Sequence, residues 1–204
     1  LQSLKRRGVT PEAIRNFLLS LGFTETESKV PIEALYKENR KIIDKSNRYF
    51  FVANPIKIKI SNSPKLKVKI LLHPDDKKRG FRNFETRDEF YIGVNDFKQL
   101  KNRQVCRLMH LMNFKVNNLN NKIIEFHSQA LNQKLEAKPL HWLPVSKDLI
   151  KVEVLMPDGK IVEGLAEADV KKLKVNTIIQ FERFGFCRLD KKEKNKFVFW
   201  FGHR

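Results

Sequence analysis

Two short stretches, Ile56 to Ile60 (IKIKI) and Leu66 to Leu71 (LKVKIL), alternate lysine with apolar residues. In extended chain that period of two sets Lys57 and Lys59, and Lys67 and Lys69, in rows on one face. A row of ammonium groups attracts phosphate or another polyanion, and it also describes an ordinary solvated face. Gln180-Phe181-Glu182-Arg183 is a second cluster with chemistry. Its carboxyl can act as an acid, its polar groups can close a strand-end hydrogen-bond network, and its amide and guanidinium can read a nucleobase edge. Trp142 beside His141, in KPLHWLP, reads as a core tryptophan under a proline turn in preference to a stacking platform. No catalytic residue is assigned: GxSxG, P-loop, HExxH and GxGxxG patterns are missing, and the carboxylates are dispersed. His73, His110, His127, His141 and His203 stand singly and Cys106 and Cys187 lie outside any CxxC. No metal site is expected, and the cysteines are expected as buried free thiols.

The surrounding composition favours a polyanion. Among 204 residues, 41 Lys and Arg face 23 Asp and Glu, a formal charge of +18. Self-repulsion of that size is relieved by an anionic partner or by counterions, with nucleic acid ahead of simple solubility and a membrane surface last. The basic residues lie mostly on strand-like segments and not on an amphipathic helix, which sets the membrane aside. An apolar content of 41% is enough for a core, and no run is long enough to span a bilayer or to act as a signal peptide. A folded, soluble, intracellular protein is expected. Leu1 is not a methionine, and LQSLKRRG reads as a helical turn closing on Gly8, so the chain is expected to begin inside a longer protein.

These side chains need elements to hold them. Thr10 as N-cap, Pro11 at the first helical position and Gly22 at the end define a helix whose apolar face is Ile14, Phe17, Leu18 and Leu21. A second helix is expected from Pro31 to Ile43, closing a helical unit of residues 1–44. Beyond it the period changes to two. Strands are expected at Arg48 to Val52, Ile56 to Ile60, Leu66 to Leu71, Phe90 to Val94, Val105 to Phe114, Ile123 to His127 and Leu149 to Met156. The turn Pro157-Asp158-Gly159 leads to another at Lys160 to Glu163, Gly164 to Lys174 is a helix or connector, and the final strands are Thr177 to Phe181, Phe184 to Leu189 and Phe197 to Phe201, with a basic turn from Asp190 to Lys196. His73 to Glu89 is expected as a surface loop anchored by Phe81 and Phe84. Many short strands with frequent turns indicate a sandwich or barrels.

Five blocks occur in one order: LKRRGVTPEAIRNFLLSLG, ENRKIID, NRYFFVANPIKIKI, KPLHWLP and IQFERFGFCRLD. Their succession resembles the C-terminal half of glutamyl-tRNA synthetases of the archaeal type, class I enzymes related to the glutaminyl-tRNA synthetases. The resemblance implies a mainly β fold with a small N-terminal helical unit and two β-barrels, proximal and distal, that grip the tRNA anticodon. It implies a proximal barrel of residues 45–100 plus 175–204 and a distal one of residues 101–174. Carried over position by position, it implies anticodon contacts at Arg48, Lys98, Arg107, Gln180 and Arg183, with Lys57, Lys59, Lys67 and Lys69 on phosphates. An ion pair with Asp44 is the structural alternative for Arg48. Gln99 after Lys98, and a single arginine in Cys106-Arg107-Leu108-Met109, depart from the glutaminyl pattern and favour the glutamyl branch.

The chain has neither the His-Ile-Gly-His-like nor the Lys-Met-Ser-Lys-Ser-like motif of class I synthetases. The resemblance therefore implies that ATP and Mg act in a catalytic domain N-terminal to Leu1, that this chain binds tRNA without aminoacylating it, and that it carries no cofactor. Its expected partners are tRNA(Glu), with tRNA(Gln) left open, and its own catalytic domain. The alternatives are the equivalent region of a glutaminyl-tRNA synthetase and a structural RNA-binding β-barrel protein without anticodon preference.

Overall fold

The computed structural model describes residues 1–22, 30–194 and 196–204; Asn195, in the expected basic turn, lies outside them. Helices α1 (Gln2–Arg6), α2 (Pro11–Leu21) and α3 (Ile32–Ile43) come first. Thr10 caps α2 by accepting the Ala13 amide at 3.1 Å, and Gly22 ends it at φ 68°. The apolar stripe is narrower than its spacing suggests. Ala13 is buried against Val9 and Leu35, Ile14 and Phe17 are half-buried, and Leu18 and Leu21 face solvent.

The rest of the chain is mostly strand. The first are β1 (Arg48–Tyr49), β2 (Phe51–Ala53), β3 (Pro55–Lys59), β4 (Leu66–Leu71), β5 (Phe81–Thr86) and β6 (Glu89–Gly93), followed by helix α4 (Val94–Lys98). Next come β7 (Val105–Leu108), β8 (Met112–Asn118), β9 (Ile123–Ser128), β10 (Lys138–Leu140) and β11 (Leu143–Pro144). The last are β12 (Ile150–Leu155), β13 (Ile161–Ala166), β14 (Ile178–Phe181), β15 (Gly185–Lys192) and β16 (Phe197–Phe201).

Seven strands form one sheet in the order β1-β14-β15-β16-β12-β13-β2. Its two outermost strands are consecutive in the chain, so residues 48–53 join both edges and nearly close the sheet into a barrel. Alternate residues of this segment serve two cores. Tyr49 and Phe51 pack inside the seven-stranded barrel with Phe181 and Phe199, whereas Phe50 and Val52 pack into a second core around Trp142. RYFFV lacks polar alternation because both of its faces are buried.

Three smaller sheets, β10-β7-β8-β9, β11-β6-β3 and β4-β5, wrap that second core. Phe50, Phe84 and Phe90 pack on the Trp142 ring, and its Nε1 donates to the Met109 carbonyl at 2.8 Å, so the tryptophan is core. Cys106 and Cys187 are buried and unpaired, and burial pushes the Cys106 thiol up to about 11.

Two expectations are corrected. The chain passes from the seven-stranded sheet to the second core near residue 54 and back near residue 146. Residues 55–100 line the second core, and β12 and β13 within 150–174 belong to the seven-stranded barrel because they pair with β16 and β2. The expected surface loop at His73 to Glu89 contains β5, paired with β4 along its length. It presents Arg82, Phe84 and Thr86 inward, and an inward arginine hides the apolar alternation that marks a strand.

The helical unit docks on the end of β16. Arg7 donates from Nε and Nη2 to the carbonyls of Phe201 and Gly202 at 3.2 and 2.7 Å. Buried Asn39 accepts the Thr10 amide at 2.9 Å and donates to the Gly8 carbonyl at 3.1 Å, and its Nδ2 lies 3.0 Å from His203 Nε2. Because an amide nitrogen only donates, His203 Nε2 accepts and its Nδ1 carries the proton, toward the Arg204 carbonyl at 3.0 Å. His203 also stacks on Tyr36 at 4.9 Å. Burial, with Arg40 and Arg7 nearby, lowers its pKa below the usual histidine value. The unfolded chain then binds the extra proton first, so this contact stabilises the fold above pH about 6.5 and weakens as pH falls below it. His203→Gln, compared with the unaltered chain by urea unfolding from pH 7.5 to 5.5, is expected to show a smaller loss of stability on acidification; an equal loss would remove His203 from that role.

Candidate nucleic-acid interface

Parallel pairing of β1 with β14 puts Arg48 directly opposite Gln180. Tyr49 and Phe181, the next pair, enter the barrel core, so alternation sends Arg48 and Gln180 to the other face. Arg48 Nε and Gln180 Oε1 are buried without a hydrogen-bond partner among the described residues. Asp44 does not neutralise Arg48; its carboxylate faces Arg40 at 3.8 Å. One unused donor and one unused acceptor, side by side on a rigid strand pair, suit a ligand that offers both.

Arg183 leaves the turn after β14 at φ 56°, left-handed for a residue with a side chain. Its exposed guanidinium donates to the Pro139 carbonyl at 2.6 Å, linking the seven-stranded barrel to β10 of the other. There it borders a cavity of about 200 Å³ with Ala53, Asn95, Asp96, His141 and Phe184. Burial drives the pKa of His141 down to about 3, with Arg183, Arg82 and His110 acting the same way, so its ring is neutral.

Arg107 sits opposite Pro139 in the β7 and β10 pair, on the same rim. Its Nη1 is already shared among Asn113 Oδ1 at 2.9 Å and the carbonyls of Gln129 and Ala130 at 3.3 and 3.4 Å. Asn113 in turn donates to Ser128 Oγ and the Ala130 carbonyl. Arg107 thus pins the loop after β9. Lys98, exposed at the end of α4, borders a separate groove of about 520 Å³ floored by Ile56, Ile58 and Phe97.

The lysine row divides. Lys57 and Lys59 lie on β3 and face Glu89 at 3.0 Å and Asp88 at 3.3 Å, while Lys67 on β4 faces Glu85 at 2.8 Å. Such exposed pairs are screened by water and exchange readily for other anions. Lys69, opposite Asn83, takes part in none of these pairs.

Sequence reading did not single out Arg82. It is fully buried between the barrels, donating to Glu167 Oε2 and Glu182 Oε1, each at 2.8 Å, with its guanidinium 4.8 Å from the Phe50 ring centre. Of Gln180-Phe181-Glu182-Arg183, the carboxylate therefore belongs to an internal network. Among the described residues no group of three or more His, Cys, Asp or Glu could hold a metal ion, and no helix is long and apolar enough to cross a membrane.

Two family models, each described as the anti-codon binding domain of tRNA synthetases class I (E and Q), match residues 46–130 and 139–190. The chain belongs to this family. It is 42% identical over its whole length to a glutamate--tRNA ligase of Methanocaldococcus jannaschii, and covers 37% of that protein. Over its whole length it is also 35% identical to the glutamate--tRNA ligase of Methanosarcina barkeri and 37% to that of Pyrococcus furiosus, covering 36% of each. The chain thus spans little more than a third of the relatives it matches. The matched stretches take in β1 and β14, which carry Arg48 and Gln180.

Arg107→Ala is expected to lower stability by about 1.5–3 kcal/mol, the loss typical of hydrogen bonds from a charged donor. The loss should appear as a lower urea midpoint at unchanged slope. An unchanged midpoint would show that the Arg107 network does not hold the loop.

Proposed function

We propose that this chain grips and identifies the anticodon arm of tRNA(Glu) as part of a glutamate-tRNA ligase. In such a ligase, ATP and Mg would act in a catalytic domain outside the matched stretch, and that domain would be the chain's partner in transferring glutamate to the tRNA. A cytoplasmic location follows from that role. Support for the glutamate branch comes from Gln99 after Lys98, the single arginine of Cys106-Arg107-Leu108-Met109, and the names of the relatives.

The observation that carries the reading is the pair of unsatisfied groups on Arg48 and Gln180. An anticodon loop presents splayed bases whose edges offer donors and acceptors together, framed by phosphates. Each buried polar group without a partner costs about 1–3 kcal/mol, and these half-buried side chains would recover it by turning outward to a base edge. Arg183, three positions beyond Gln180, adds a guanidinium to the same end of β14. Lys98 and Arg107 contribute from the second barrel. The excess of cations draws the polyanion in, with Lys57, Lys59, Lys67 and Lys69 exchanging their carboxylates for phosphates.

Base contacts and phosphate contacts respond differently to mutation. Gln180→Ala is expected to leave the urea midpoint unchanged or higher, since it removes an unpaired buried acceptor. It should also weaken binding of tRNA(Glu) by about 1–3 kcal/mol and relax preference among tRNAs with exchanged anticodon bases. Lys69→Ala is expected to weaken all of these tRNAs alike and reduce the salt slope by about 1. A chain that binds every anticodon variant equally before mutation would be the structural RNA-binding protein instead.

A further inference from the structure

Arg82, Glu167 and Glu182 form a buried charged triad at the place where the barrels meet. Stability alone is a poor reason for such a group. Removing three charges from water costs several kcal/mol per ion, and buried ion pairs are often neutral or unfavourable against apolar residues of the same size. Here one guanidinium serves two carboxylates, and Arg82 Nε and Glu167 Oε1 are left without partners among the described residues. Burial pushes the Glu167 carboxyl up to about 7 even against the pull of Arg82, so the pairing recovers only part of the expense.

The connections of the triad point to geometry. Glu167 Oε2 also accepts the backbone amide of Phe50 at 2.7 Å, two residues from Arg48. Glu182 lies between Gln180 and Arg183, and its own amide donates to the Tyr49 carbonyl at 3.1 Å. Arg82 comes from β5, in the other barrel, and is held there by donating to the Leu71 carbonyl at 3.3 Å and by the face of Phe50. A single planar group therefore fixes both strand ends that carry the polar side chains of the interface. The left-handed turn at Arg183 is clamped from one side by Glu182 and from the other by Pro139.

We infer that Arg82, through Glu167 and Glu182, is a positioning residue that sets the relative placement of Arg48, Gln180 and Arg183, and so determines anticodon discrimination without touching RNA. This rests on the anticodon reading above. A lysine in place of Arg82 keeps the charge but lacks the planar fork that reaches two carboxylates at once. Glutamine at position 182 keeps the shape and an acceptor oxygen but loses the negative charge of the ion pair.

The test uses the 204-residue chain, tRNA(Glu) and the same tRNA with exchanged anticodon bases, with binding measured across a salt series. Arg82→Lys and Glu182→Gln are expected to lower the ratio of cognate to exchanged-anticodon affinity about five- to tenfold, while the salt slope stays unchanged. A merely structural role would move the urea midpoint and leave that ratio alone in the folded fraction. Glu182→Gln is nearly isosteric and keeps the experiment decisive if Arg82→Lys does not fold. Arg183→Ala, run beside them, separates the two ways of failing. If it abolishes discrimination while folded Glu182→Gln retains the full ratio, the positioning role is wrong and the anticodon reading stands. If Arg183→Ala and Gln180→Ala both retain the ratio as well, the reading falls and takes the positioning role with it.

Discussion

The hydrogen bond from the Phe50 amide to Glu167 holds the point on which the rest of the architecture turns. At Phe50 the chain leaves one edge of the seven-stranded sheet and enters the other, so its backbone cannot continue a regular ladder and needs another acceptor. Glu167 supplies it, and Arg82 supplies the counter-charge from the neighbouring barrel. The same carboxylate therefore serves both the closure of one barrel and its attachment to the other. The segment that makes it sends alternate side chains into two cores, leaving no freedom to shift by one residue without exchanging those cores.

Rigidity of that kind suits the proposed interface for single-stranded bases. Arg48 and Gln180 are fixed by register, while Arg183 is fixed by a left-handed turn and a bond across the barrel seam. Long side chains ordinarily lose rotamer freedom when they bind, and prior restraint by the scaffold lowers that cost. The exposed lysines have the opposite character. Their carboxylate partners are screened and exchangeable, which suits attraction without specificity. Docking of the helical unit adds to the Arg7 guanidinium a third device, a histidine and an asparagine whose donors and acceptors match one another.

Much of this was legible in the residues. Thr10, Pro11 and Gly22 set the limits of α2 through local capping chemistry, and the period of two in IKIKI and LKVKIL marked β3 and β4, because these signals act between neighbours in the chain. Gln180 and Arg183 lay in a cluster that its residue types singled out, while their assignment to base contacts came from the family resemblance. What escaped was β5, whose inward arginine reads as a surface residue until its two carboxylates, 85 and 100 positions away, are brought to it. The stripe on α2 was drawn too wide for a related reason: periodicity shows which residues can share a face, whereas the packed neighbour decides how much of it is covered.

The sequence by itself determined most of the element types, the basic character and the absence of recognisable catalytic motifs, since each follows from side-chain chemistry or short-range spacing. Only the tertiary structure decided where the chain passes between barrels, that Arg48 stands beside Gln180, and that Arg107 Nη1 and the Glu182 carboxylate are engaged in internal bonds. Those facts depend on contacts between residues far apart in the chain. No local preference encodes them, because a hydrogen bond or ion pair exists only once folding has brought both partners to the same place.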